Sequence, residues 1–189
     1  VAGGAGKTPT VIAIVRHLTQ QGHTVGVVSR GYGRENRACI EVTANAKAQD
    51  VGDEPLLIQR AAQVPVFVAN TRIAAARALL AKYPKIEAIV CDDGLQHYAL
   101  YRDVEVCVFD SRGCGNHWLL PAGPLRERWP RKPLHQAGQR DQRLLVLQTG
   151  DQAEIDGFRA TRSLSGFGIK ADGSTVPIST LAGQNGPAL

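Results

Sequence analysis

Gly3, Gly4, Ala5, Gly6, Lys7 and Thr8, followed by Pro9, set a run of small residues in front of a Lys-Thr pair. Small residues let backbone N–H groups close on phosphate oxygens, and a helix starting there points its positive end at the same oxygens. Lys7 would then reach the β- and γ-phosphates of a nucleotide, and Thr8 would bind Mg2+. The G-x-x-x-x-G-K-[ST] spacing departs at its first glycine, where the chain has Val1. Further on, Ile89-Val90-Cys91 runs into Asp92-Asp93-Gly94, as a strand does when it delivers a carboxylate to phosphate-bound Mg2+. Two adjacent acids also suit a helix cap or a turn, so Asp92 and Asp93 take their weight from Lys7 and Thr8 upstream. Asp53 and Glu54, between Gly52 and Pro55, form a second acidic pair. Phosphoryl transfer to an alcohol uses one carboxylate to orient or deprotonate the hydroxyl and another to help hold metal. Charge at a helix N-terminus explains the same pair equally well. Arg30, Arg72, Arg126 and Arg128 are candidates for gripping anionic oxygens, because a guanidinium fork matches phosphate geometry. Arg72 falls in the first turn of an expected helix, an unfavourable place for a cation unless something negative is close. His97 follows the Asp pair closely enough to share its site.

These residues need elements to position them. Val11, Ile14, Val15 and Leu18 recur at helical spacing from Lys7 to Gln21, and Gly22 is placed to end that helix. Pro9 is compatible because the first turn has no intrahelical N–H bond to lose. Residues 24–29 read as a strand covered on both faces, running into the Arg30-Gly31-Tyr32-Gly33-Arg34 loop. Residues 39–43 suggest a short strand, a helix runs from the 50–55 stretch to about Ala62, and residues 65–69 form a strand. Asn70 or Thr71 caps an Ala- and Leu-rich helix ending near Tyr83. Residues 86–91 and 104–109 read as further strands, the first of them buried, and residues 144–148 as another. Strands alternating with helices imply a mostly parallel sheet whose ligands gather at the carboxyl ends of the strands, where each polar motif above lies. The expected fold is therefore α/β, a three-layer P-loop NTPase-like arrangement whose first strand is missing. Residues 1–149 form the P-loop domain, with a long connection at 111–142 of the kind that serves as a lid or binding loop. Residues 150–189 form a linker and a hairpin, Phe158 to Leu164 with Thr175 to Leu181 around Asp172-Gly173.

Composition narrows the function classes. Hydrophobic residues at 43% and charged residues at 21% fit an ordinary globular domain, which excludes disorder and repeats. Cys39, Cys91, Cys107 and Cys114 lack C-x-x-C spacing and read as free thiols in a reducing cytosol. No signal peptide is visible, and no apolar run approaches the ~18 residues of a membrane span. The net charge of +5 is concentrated. Between 112 and 143 lie Arg112, Arg126, Arg128, Arg131, Lys132, Arg140 and Arg143, against Glu127 and Asp141. Such a stretch suits an anionic membrane face or an acidic substrate. Nucleic acid is the weakest partner, for want of interleaved aromatics or a nucleic-acid motif, and a solvated basic loop remains an alternative.

Five motifs in order carry a resemblance: Gly-Gly-Ala-Gly-Lys-Thr-Pro (3–9), Val-Ser-Arg-Gly-Tyr-Gly (28–33), Val-Gly-Asp-Glu-Pro (51–55), Asp-Asp-Gly-Leu-Gln-His (92–97) and Leu-Leu-Pro-Ala-Gly-Pro-Leu-Arg-Glu (119–127). Together the sequence resembles the tetraacyldisaccharide 4′-kinases of lipid A synthesis, clearly to about Glu127 and more thinly beyond. The resemblance implies that Lys7 and Thr8 serve ATP and Mg2+, and that Asp53 acts on the sugar hydroxyl. Glu54 and Asp92 would help hold metal, with Asp93 beside them. Tyr32, Arg72, Gln96, Asn116 and Arg126 would line the path of the acceptor. The basic loop, with Trp118 and Trp129, would sit at an anionic membrane surface, on the cytoplasmic face of a bacterial inner membrane. The family also has a membrane-associated segment and a strand before the phosphate loop, and a further stretch after the point matching Leu189. The chain is thus expected to be an internal fragment, with an empty central sheet position whose neighbours are unpaired. Two rivals stay open at this point: another P-loop NTPase, and a nucleotide-binding module without catalysis.

Overall fold

Val25-Gly26-Val27-Val28-Ser29 forms β1 (Val25–Ser29), buried along its whole length. The computed structural model describes residues 4–35, 37–131, 143–150, 155–161, 163, 166–169 and 174–180. Side chains of a strand alternate between faces, and β1 shows the consequence: Val25 and Val27 enter one core cluster, Val28 the other. On the first face lie α1 (Lys7–Gln20), through Val11 and Val15, and α3 (Asp53–Ala62), through Leu56 and Ile58. On the second lies α4 (Arg72–Lys82), through Ala75, Ala76 and Leu79. Gly26 lets Leu79 sit against the sheet, since a Cβ there would stand 2.5 Å from Leu79 Cδ2. The result is three layers, helix on sheet on helix.

The elements follow the expected order with few shifts. β2 (Ile40–Glu41) pairs antiparallel with β3 (Val66–Val68), and β3 and β4 (Ala88–Cys91) flank β1 in parallel, giving the order β2-β3-β1-β4. The four-residue α2 (Ala48–Val51) precedes α3. Of the two caps offered for α4, Thr71 serves: its side chain accepts from the Ala74 N–H at 3.2 Å. β5 (Val104–Phe109), β6 (Arg143–Gln148) and β7 (Phe158–Arg159) make a second parallel sheet. Here the hairpin expectation is corrected. Phe158 continues the second sheet beside β6, and the hairpin is instead β8 (Phe167–Ile169) with β9 (Thr175–Pro177), followed by a 3-10 turn at Ile178–Thr180. Asp172 and Gly173, expected at its turn, lie outside the described residues.

β4 is half-buried rather than buried. Its reason is topological: β4 pairs with β1 on one edge and β5 pairs with β6 on one edge, and among the described residues no strand pairs with either opposite edge. Ala88 to Cys91 and Val104 to Phe109 line one cavity of about 750 Å3, with Val11, Ile14 and Leu18 of α1 also on its wall.

Candidate functional site

The phosphate loop is shaped by its glycines. Gly4 and Gly6 hold positive φ angles of 63° and 89°, a left-handed backbone that side chains with a Cβ rarely adopt. Gly6 stands at the N-terminus of α1, whose first turn carries no acid, so the positive end of the helix is not neutralised from within. Thr10 closes the turn by donating its hydroxyl to the Gly6 carbonyl at 2.8 Å. Ala5 is buried, and its carbonyl accepts from the Thr149 hydroxyl at 2.9 Å, which ties the loop to the end of β6. Thr149 has no counterpart in the sequence reading, since nothing local marks a threonine 144 positions away as a loop anchor. Gly3 lies outside the described residues. Thr8 follows Lys7 in the first turn, half-buried.

Lys7 meets the second residue of the Asp pair. Its Nζ lies 3.8 Å from Asp93 Oδ1. Asp93 also accepts from Arg126 Nη1 at 2.9 and 2.8 Å through its two oxygens, so one carboxylate holds two cations. Asp93 has φ 49°, a conformation that Asp tolerates better than most residues. Asp92 is different in kind. It is 1% exposed, its Oδ2 accepts from the Ser29 hydroxyl at 3.3 Å, and its Oδ1 has no donor. Burial first, then the charges of Glu54 and Asp93, push its carboxyl up to about 6. A buried carboxylate with one oxygen unpartnered, repelled by two further acids, fits a cation. Among the described residues no three His, Cys, Asp or Glu side chains converge as a metal cage. Mg2+ suits such a site, because it is commonly held by one or two carboxylates together with phosphate oxygens and water.

Asp53 and Glu54 head α3, exposed. They are placed by two backbones in contact: a Cβ on Gly31 would lie 2.6 Å from the Val51 carbonyl, and one on Gly52 would lie 3.0 Å from Gly31 Cα. This close approach sets the α2–α3 junction against the loop that carries Tyr32, which is 87% exposed.

Lys7, Asp93, Gln96, His97 and Arg126 line the same cavity. Gln96 donates to Glu127 Oε1 at 2.8 Å. His97 is held below its ordinary value by burial and by the charges of Arg72 and Arg102, so it stays neutral. Two acceptor candidates point elsewhere. Arg72 is 9% exposed and donates through Nη2 to the Asp92 and Asp93 carbonyls at 3.4 and 2.8 Å. Its negative partner is thus the backbone of the acidic turn. Asn116 donates to the Ala122 carbonyl at 2.9 Å and accepts from the Trp118 N–H at 3.2 Å, stapling its own loop.

The basic loop is less free than its composition suggested. Arg112 pairs with Asp110, Arg126 with Asp93, and Arg131 with Glu105 and Glu127. Residues 132–142 lie outside the described residues. Trp129 packs edge-on against Phe109 at 4.8 Å, so of the two tryptophans only Trp118 is a surface residue, with Leu119 and Leu120 exposed beside it. None of the four cysteines is in a disulfide, and burial pushes Cys91 and Cys107 up to about 11. Among the described residues no helix is long and apolar enough to cross a membrane.

Known proteins are similar over most or all of the chain. The chain is 55% identical over 190 residues to a tetraacyldisaccharide 4′-kinase of Polaromonas sp. strain JS666, covering 100% of this chain and 54% of that relative. It is 54% identical over 184 residues to the enzyme so named in Polaromonas naphthalenivorans, covering 97% and 52%. The chain therefore spans about half the length of the curated relatives it matches. A crystal structure of LpxK from Aquifex aeolicus in complex with ATP superposes with a TM-score of 0.70 at 26% identity, over 97% of this chain and 58% of that one. The family described as Tetraacyldisaccharide-1-P 4′-kinase, LpxK, matches residues 1–163, and the chain belongs to it.

Proposed function

We propose that the chain is the nucleotide-binding part of a kinase that moves the γ-phosphoryl group of ATP to the 4′-hydroxyl of a tetraacyldisaccharide 1-phosphate. The observation that carries this reading is the meeting of Lys7, Asp93 and Arg126 at the phosphate loop, with the unpartnered Oδ1 of the buried Asp92 adjoining. Lys7 and the N–H groups at the start of α1 bind the β- and γ-phosphate oxygens and hold them in line. Thr8, Asp92 and Glu54 would hold Mg2+, which when bound neutralises charge on the transferring group. Asp53, exposed at the head of α3, orients the acceptor hydroxyl and takes its proton. Arg126 stands ready to exchange Asp93 for an anionic oxygen of phosphate or acceptor.

The acceptor is an acylated anion, and the exposed Trp118-Leu119-Leu120 run supports its capture at an anionic membrane surface on the cytoplasmic side of the inner membrane. Arg128, exposed nearby, adds charge there.

In a full-length protein carrying these residues, Lys7→Ala and Asp53→Ala should each lower turnover about a hundredfold or more. Near-normal turnover in either variant removes that residue from the mechanism.

A further inference from the structure

We propose that Glu105 is a positioning residue of the acceptor side, holding in register the two loops that bring Asp93 and Arg126 together. Glu105 is 2% exposed on β5, a strand that carries no other residue of the site. A carboxylate is costly in such a place unless it is paired and hydrogen-bonded. Its pairing is bidentate: Arg131 Nε donates to Oε2 at 2.9 Å and Nη2 to Oε1 at 3.0 Å, the fork geometry that fixes direction as well as charge. Arg102 Nε lies 2.8 Å from Oε1 on the other side.

Both arginines then reach past Glu105 into the site. Arg102 Nη1 donates to the Gly94 carbonyl at 2.7 Å and the Leu95 carbonyl at 3.1 Å, and Arg131 Nη2 to the Leu95 carbonyl at 3.4 Å. Gly94 is the residue after Asp93. Arg131 also pairs through Nη1 with Glu127, the residue after Arg126, and Glu127 in turn accepts from Gln96. One buried carboxylate thus fixes Arg131 through a two-bond fork and holds Arg102 by charge. Those arginines grip the chain immediately beyond each partner of the Asp93–Arg126 pair. An apolar side chain at 105 would remove the fork partner of Arg131 and the ion-pair partner of Arg102, leaving each held only by its contacts to the two loops.

The functional part of this inference rests on the kinase reading, and its test separates the two. In a full-length protein carrying these residues, Glu105→Gln, Glu105→Asp and Arg131→Lys are compared with the parent. ATP binding is measured apart from turnover, and rates are normalised to the folded fraction. Glu105→Gln and Arg131→Lys should lower kcat/KM for the tetraacylated acceptor about tenfold or more, with ATP Kd within about twofold of the parent's and Glu105→Asp intermediate. Acceptor kinetics within about twofold of the parent's in folded Glu105→Gln overturn the proposal. Where Glu105→Gln does not fold, Arg131→Lys decides on the same thresholds, since it keeps the charge and loses the fork. A parent that transfers no phosphate to the acceptor defeats the kinase reading instead. Hydrogen exchange in Glu105→Gln then decides the positioning: faster exchange at both 93–97 and 125–128, with β1 unchanged, upholds it, and unchanged exchange there overturns it.

Discussion

Asp92 is the residue whose chemistry and stability pull in opposite directions. Its carboxyl, ordinarily at 3.8, is pushed up to about 6 by burial and by Glu54 and Asp93. A raised carboxyl means the folded state binds its proton more tightly than the unfolded chain does, so stability is lost as pH rises from about 4 through 6. The penalty is fully present at neutral pH. Asp92→Asn should therefore stabilise the cation-free protein at pH 7.5 by on the order of 2 kcal/mol, fading below about pH 4, while abolishing phosphoryl transfer. Urea unfolding of the two proteins across that pH range checks it; an Asn variant no more stable than the parent at pH 7.5 contradicts the assigned environment. At this scale the motifs pointed to Lys7, Asp93 and Arg126, which the fold brings together, and to Asp92 beside them. They did not show that Arg72 donates to the backbone of the acidic turn or that Asn116 bonds within its own loop. No residue pattern announces such a partner. Nor does one mark Glu105, an acid in an apolar strand whose role shows only once its arginines are placed.

Among the elements, the junction of α2 and α3 is the one on which the mechanism depends most. Gly31 has φ 67° and backs onto the Val51 carbonyl at 2.6 Å from where a Cβ would sit, whereas Gly22, with φ 88°, has nothing within 4 Å. Gly22→Ala should cost only left-handed strain, about 1 kcal/mol. Gly31→Ala adds a backbone clash and should cost about 2 to 3 kcal/mol while displacing the head of α3 and lowering turnover through Asp53. Equal denaturation midpoints for the two variants would contradict this packing. Helix α1, strand β1 and the Thr71-capped α4 were legible because apolar spacing, a β-branched run and a capping residue each agree with the tertiary environment. The pairing of Phe158 with β6 was not legible. Two residues of strand bear no period, and their partner is the edge of the strand just before them, which no residue of the pair marks.

At the scale of the whole molecule, a mostly parallel sheet and a parallel one share a helix-backed cavity between β4 and β5. The alternation of strands and helices announced the layers and the mostly parallel sheet. Hydrogen exchange should find β1, paired on both edges, the slowest strand, with β4 exchanging faster on the edge that faces the cavity; a β4 as protected as β1 would show that edge to be covered. The same organisation sets Lys7, the acidic turn and residues 125–131 around one cavity, with Trp118, Leu119 and Leu120 exposed just before that stretch. Replacing those three by serine should weaken partition onto anionic vesicles several-fold, and unchanged partition would detach the loop from the membrane. Phosphoryl transfer itself is measured with ATP labelled at the γ-phosphate and a tetraacylated disaccharide 1-phosphate in detergent micelles. This 189-residue chain would be assayed beside a version extended at both ends to the length of its relatives. Label should appear at the 4′-position of the disaccharide with the extended protein and disappear with Lys7→Ala. An extended protein that binds ATP but leaves the disaccharide unlabelled would contradict the claim.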